Sequence, residues 1–299
     1  MYRWRHAVAG DRRRANARLL RMWCLTMPWQ GSGDVDIYWE SYGRGHTLLL
    51  ISGVSGGTWS WADEIAAWSP RFRVIVFDNI GAGRSSMPDR PYSIQEMADH
   101  AAHILDAAHE RRASVVGLSM GGMIAQALTL RHPDRVAALV LGCTHCGGTE
   151  RIPPAPEVIQ QFAANEGLTA EEIVDKNLRL LVTPEFLHSK PESLERYRQR
   201  QLEAPLQPDY ALQRQLEAIQ GFDVCGRLNE IEAATLILTG GRDALVPPEN
   251  GRVLARLIPG ATERCFADAG HLIHLECPEA FHETVMRFVH DVCPPHSTD

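Results

Sequence analysis

The chain of 299 residues has no apolar run approaching the length of about 18 residues that a membrane-crossing helix needs, so no membrane span is expected. Its start does not read as a secretory signal either. Such a signal needs about 7–15 apolar residues and a small-residue cleavage site, whereas Leu19 to Met27 is interrupted by Arg21. Lysine is almost absent, with only Lys176 and Lys190 among 30 basic residues, a compositional bias with no functional reading. Positive charge is also missing from the body of the chain. Residues 1–26 hold seven arginines against Asp11, a balance of +6, which leaves −13 for the remainder of a chain whose formal charge is −7. An extended nucleic-acid surface on that body is therefore not expected.

Seven cysteines in a chain this long do not suggest a disulfide framework. Cys143-Thr144-His145-Cys146 has C-x-x-C spacing but no second ligand pair nearby, and structural zinc usually needs four ligands. The cysteines are read as ordinary loop thiols, no metal is expected, and the cytoplasm is the default compartment. Two glycine loops also lack the features of nucleotide sites. Ser52-Gly53-Val54-Ser55-Gly56-Gly57 has no Lys-Ser/Thr after its glycines, and Asp78 to Ser85 lacks the strand–G-x-G-x-x-G–helix form. No cofactor is expected.

What is present is a chain that is 44% hydrophobic and long enough to bury a large core. Short β-rich runs alternate with helical patterns in two blocks. The runs are Val35–Trp39, Thr47–Ile51, Val74–Phe77, Ser114–Val116 and Val136–Leu141, then Ala234–Leu238 and a weaker Thr262–Phe266. Continuous apolar runs without polar alternation suit a mostly parallel central sheet covered by helices on both faces. Helices are expected from Ser93, which with Glu96 forms a capping-box pattern, to about His109, over Gly122–Leu130, and over Pro278–Val289.

Residues 147–228 break the alternation. Prolines separate amphipathic stretches near Pro156–Asn165, Thr169–Leu180, Ser193–Ala204 and Tyr210–Ile219, which predicts a helical insertion over the carboxyl ends of the strands. The expected organisation is a disordered basic leader over 1–32 and an α/β core over 33–146 and 229–292. The helical insertion occupies 147–228 and a flexible tail 293–299. A homo-oligomer is left open.

Directly after Ala113-Ser114-Val115-Val116 comes Gly117-Leu118-Ser119-Met120-Gly121, a G-x-S-x-G pentapeptide that holds a serine on a sharp strand-to-helix turn. A serine hydroxyl is a weak nucleophile and needs a base, which needs an orienting acid. The candidate acid is Asp243, past a β-rich run in a glycine turn, with Asp268 and Glu276 as rivals. The candidate base is His271, between the last strand and the last helix. The order Ser119, Asp243, His271 is the order of a fold whose nucleophile sits on the central strand. An oxyanion site needs two backbone N–H groups. Met120 follows the nucleophile, and Val54 in the first glycine loop is the second candidate, with Gly53 allowing close approach.

With these motifs the chain resembles the α/β-hydrolase superfamily, in its compact esterase, lactonase and C–C hydrolase branch, over roughly residues 33–292. Gly117 to Gly122 is similar to that branch's nucleophile elbow, Phe77 to Ser85 to its D-x-R-G-x-G-x-S loop, and Gly240 to Asp243 and Gly270-His271 to its acid and base motifs. Two positions depart from the pattern: Ser52 stands where members commonly have His, and Ile80 where they commonly have Arg. The resemblance implies an α/β-hydrolase fold and a helical cap over 147–228 that shapes the acyl pocket.

The expected function is hydrolysis of a small carboxylic ester through an acyl-enzyme on Ser119. The same machinery serves lactones and enol-lactones, and the alternatives of C–C bond hydrolysis and of a slowly hydrolysing small-ligand receptor stay open. Ser52, Gly53, Trp59, Trp61 and Met123 are candidate pocket residues, with core packing the competing role for the tryptophans and Met123. In the insertion, Arg196, Arg198 and Arg200 either reach a substrate carboxylate or form a solvated helix face.

Overall fold

The computed structural model describes residues 29–32, 35–189 and 191–294. Eight strands form one sheet: β1 (Trp29–Ser32), β2 (Val35–Tyr42), β3 (Thr47–Ile51), β4 (Arg73–Phe77), β5 (Ala113–Leu118), β6 (Val136–Gly142), β7 (Thr235–Gly240) and β8 (Thr262–Phe266). Their order across the sheet is β1-β2-β4-β3-β5-β6-β7-β8. The β1–β2 and β2–β4 pairs are antiparallel and all others are parallel, as the unbroken apolar runs predicted. Every residue of β3 and β5 is buried, because these central strands are covered on both faces. Edge strand β8 is mostly exposed through Thr262, Glu263 and Cys265, which explains its weaker sequence signal.

Helices α1 (Ala62–Trp68), α2 (Ile94–Ala107), α3 (Met120–Arg131), α9 (Glu249–Leu257), α10 (Ile273–Glu276) and α11 (Pro278–Val292) belong to the alternating part of the chain. Ser93 caps α2 by accepting the Glu96 N–H at 3.2 Å, but the Glu96 carboxylate pairs with Arg90 instead of closing a capping box. Two apolar clusters enclose the sheet. One holds Ile51, Phe77, Leu105, Ile124 and Leu128, and the other Leu50, Trp68, Val116, Leu238 and Phe281.

Between β6 and β7 the chain forms α4 (Pro156–Ala163), α5 (Ala170–Leu181), α6 (Pro184–Ser189), α7 (Pro191–Glu203) and α8 (Asp209–Gln220). Thr169 and Glu172 complete a reciprocal capping box that starts α5. Val174, Leu178, Phe186 and Tyr197 pack into a cluster that also takes Leu272 and Leu275 from the sheet side.

Two expectations change. Residues 29–32 of the expected leader form strand β1 on Val35–Tyr38, while residues 1–28 lie outside the described residues. Of the expected tail, 295–299 also lie outside them. Cys146 and Cys225 are joined by a disulfide, so they are not separate loop thiols and the cysteine content no longer argues for a reducing compartment. The bond ties the exit of β6 to the return of the chain, beside an antiparallel bridge between Gly147 and Asp223. Among the described residues no helix is long and apolar enough to cross a membrane.

Candidate active site

Ser119 sits between β5 and α3 with φ 56° and ψ −122°. A non-glycine residue in such a conformation costs about 1–3 kcal/mol and persists only where its surroundings over-determine it. Here they do. A Cβ on Gly117 would meet the Gly121 carbonyl oxygen at 2.2 Å, and one on Gly121 would meet that of Ile51 at 2.0 Å, so the turn packs too closely for any side chain at either position. The Ser119 N–H donates to the Gly142 carbonyl at 2.8 Å, and the Thr144 hydroxyl donates to the Ser119 carbonyl at 2.8 Å.

Asp243 and His271 come together from the loops after β7 and β8. His271 Nδ1 lies 2.7 Å from Asp243 Oδ2, and both side chains are buried. The other carboxylate oxygen accepts the N–H groups of Leu245 and Val246, each at 2.9 Å. A carboxylate held this way sets the imidazole tautomer, with the proton on Nδ1 and Nε2 left as the acceptor. Glu276, one of the two rivals for the acid, has a different position: its carboxylate accepts the Gly270 N–H at 2.7 Å and the Thr183 hydroxyl at 2.7 Å. It joins the loop of His271 to the helical insertion. The Leu181 carbonyl at the end of α5 also accepts the His271 N–H at 2.8 Å.

Cys143 is buried in a left-handed backbone conformation, and its sulfur lies within 4.8 Å of ligand-type atoms of Asp243 and His271. Burial, then the charge of Asp243, pushes its thiol well up, so it is a neutral neighbour of the pair. With Cys146 bonded to Cys225, the C-x-x-C spacing makes neither a metal pair nor a redox pair.

The first glycine loop follows β3 and passes close to the serine: a Cβ on Gly53 would lie 3.1 Å from that of Ser119. Ser52 pins this loop by donating to the Gly57 carbonyl at 3.0 Å, while Asn79 donates to the Ser52 carbonyl at 3.0 Å. Asp78 accepts the Thr58 N–H at 2.6 Å and the Arg84 N–H at 2.8 Å. Ile80 is fully buried in the core, which is why an apolar residue fits where the resemblance led to Arg.

A cavity of about 80 Å³ opens onto Ser119 and His271, lined among others by Ser52, Gly53, Val54, Trp59 and Trp61. Met123 is not on its wall; α3 turns that side chain into the core with Ile124 and Leu128. Met120 likewise buries its side chain in the core, and its backbone N–H starts α3. A larger cavity of about 1060 Å³ lies between the loop at Pro70 and the last helix and shares no residue with this one.

Several residues of the insertion that sequence reasoning did not single out hold the site. Gln215, fully buried on α8, accepts the Ser55 N–H at 3.0 Å and donates to the Ile80 carbonyl at 2.8 Å. Gln207 donates to the Gly81 carbonyl at 2.6 Å. Asn177 and Gln201 line the cavity beside Phe162 and Leu181. Gln215 shares the buried face of its helix with Ala211 and Ala218, and a polar residue on that face is the one local signal for its role. The arginines are engaged elsewhere, with Arg196 on Glu192, Arg198 on Asp175 and Arg200 on Asp63.

A family model described as alpha/beta hydrolase fold matches residues 46–278. A protein of Azorhizobium caulinodans that carries the name carbamate hydrolase RutD is 32% identical over 268 residues, 89% of this chain and 99% of that one. The 3-oxoadipate enol-lactonase 2 of Acinetobacter baylyi is 28% identical over 84% of this chain and 92% of its own. The solved enol-lactonase of Burkholderia xenovorans LB400 superposes with a TM-score of 0.77 at 28% identity, over 88% of this chain and 99% of that one.

Proposed function

Because the chain belongs to the alpha/beta hydrolase fold family, we propose that it is a serine hydrolase cleaving a small carboxylic ester through an acyl-enzyme on Ser119. The observation that carries this reading is the 2.7 Å contact of His271 with Asp243 beside a serine held at positive φ on the same cavity. In this mechanism His271 Nε2 takes the Ser119 proton as Oγ bonds to the acyl carbon. The carbonyl electron pair moves onto oxygen, where the N–H groups of Val54 and Met120 receive it. Collapse breaks the bond to the leaving alcohol, which takes the proton from His271. Water then gives its proton to His271 as it adds to the acyl carbon, and Ser119 leaves with that proton, releasing the acid. Residues 147–228 act as the cap that shapes the acyl pocket.

The same steps open a lactone, whose leaving alcohol stays attached to the acid. The enol-lactonases among the relatives favour this as the second reading. The test is Ser119→Ala with p-nitrophenyl butyrate and with a simple lactone as substrates. The expected loss in kcat is about 10⁶-fold, the size seen when the nucleophile of a related constellation is removed. Turnover by the alanine variant within tenfold of the wild type would sink the mechanism.

A further inference from the structure

The cavity that reaches Ser119 has no Lys, Arg, Asp or Glu among its described lining residues. Its two imidazoles are His271 and His274, and burial holds His274 below the ordinary histidine range, so it is neutral at neutral pH. An adjoining cavity of about 170 Å³ shares Ser55, Trp59, Phe162, Asn177 and Gln201 with the first, and Asp209 is its one charged lining residue. Nearby cations are occupied. Lys176 donates to the carbonyls of Phe162 and Ala164 and to Asn165 Oδ1, and Arg200 holds Asp63. An anionic acyl chain entering here would lose its hydration with no cation to replace it.

The same wall is short of partners. Among the described residues, ten buried side-chain polar atoms have none, and three of them belong to residues lining this one cavity: Trp61 Nε1, Asn177 Oδ1 and His274 Nδ1. Unpaired buried polar atoms are few in folded proteins, and each calls for a cause. The three atoms are themselves covered, yet their residues ring one space, and a polar group bound there is what a turn of the Asn177 amide would meet. Asn177 stands four residues before Leu181 on α5, hence on the same face, and the Leu181 carbonyl receives the His271 N–H. Rotation about its broad terminal torsion is enough to turn the amide oxygen toward a ligand.

Resting on the ester-hydrolase reading, we propose that this site selects neutral esters or lactones bearing a hydroxyl or amide N–H on the acyl chain, and that Asn177 accepts from that donor. Asn177 is then a specificity-determining residue supplied by the helical insertion. An acyl chain without the donor leaves Asn177 Oδ1 unpaired, and a carboxylate on the chain meets no cation.

The experiment compares kcat/KM for methyl butyrate, methyl 3-hydroxybutyrate and monomethyl succinate at neutral pH, in the wild type and in Asn177→Leu and Asn177→Asp. The hydroxy ester is expected to exceed methyl butyrate by about tenfold, and the succinate half-ester to fall lowest of the three. Asn177→Leu lowers the hydroxy-to-plain ratio about tenfold, while Asn177→Asp, which keeps an acceptor, retains it. Equal values for the first two esters in the wild type overturn the inference, whether or not the variants fold. So does a ratio unchanged in a folded Asn177→Leu. Failure of all three esters, with no covalent labelling of Ser119 by a fluorophosphonate, overturns the hydrolase reading and this inference with it.

Discussion

The two regions that meet at the cavity hold their side chains in different ways. On the sheet side, positions follow from backbone geometry: the positive φ of Ser119, the glycines that let Ile51 and Gly121 touch, and the N–H groups that grip Asp243. On the insertion side, positions follow from side chains reaching across, with Gln215 and Gln207 on the glycine loops and Thr183 on Glu276. Backbone geometry is shared by every residue of the turn and tolerates little change. A side-chain contact can be exchanged one residue at a time. On the proposed reading the reaction belongs to the first region and the choice of substrate to the second.

The neck between them, where Cys146 bonds Cys225, is the place to separate the two. The bond spans 79 positions and closes the insertion into a loop. In the chain-entropy model a loop of that length contributes on the order of 4 kcal/mol. Urea unfolding of the Cys146→Ser/Cys225→Ser variant is expected to show a loss approaching that size, with amide exchange rising most over α4 to α8. Equal exchange in the sheet strands would break the distinction between the regions.

A second effect, visible only as pH is lowered, comes from His145 at the same neck. It is buried, its Nδ1 accepts the Gly147 N–H at 3.0 Å, and desolvation, then Arg151, lowers its pKa to about 3. The folded chain keeps this imidazole neutral, whereas the unfolded chain protonates it near its ordinary pKa of about 6.5. Its contribution to stability is thus present above about pH 6.5 and is lost as pH falls toward 3, at about 1.4 kcal/mol per pH unit. His100 and His274, both lowered first by burial, act in the same direction. Unfolding free energies measured across that range should show a slope smaller by about one proton in His145→Gln. An unchanged slope would show that His145 is not the group that takes up the proton on unfolding.

The same contrast explains what was legible beforehand. The Thr47–Ile51 and Ser114–Val116 runs, the pentapeptide at Ser119, and the motifs around Asp243 and His271 are local patterns, because strand period and tight turns are written in adjacent residues. Strand β1 lies directly behind a basic leader, and helices α1 and α9, of seven and nine residues, are not among the expected elements. The Cys146–Cys225 bond, the partners of Gln215 and the position of Glu276 depend on residues tens of positions apart, which no local pattern records. Met123 looked like a pocket residue beside the elbow, but the turn of α3 carries it into the core.

The rate at which a fluorophosphonate phosphonylates Ser119, followed by intact mass and peptide mapping, tests the catalytic role of the Asp243–His271 pair. One adduct is expected, on the peptide carrying Ser119, with a rate about 10⁴-fold lower in Asp243→Asn because the imidazole then has the wrong tautomer. The Cys146→Ser/Cys225→Ser variant is predicted to keep the adduct at the same residue. An adduct on another residue, or a rate indifferent to Asp243, would contradict the assignment of the chemistry to the sheet side.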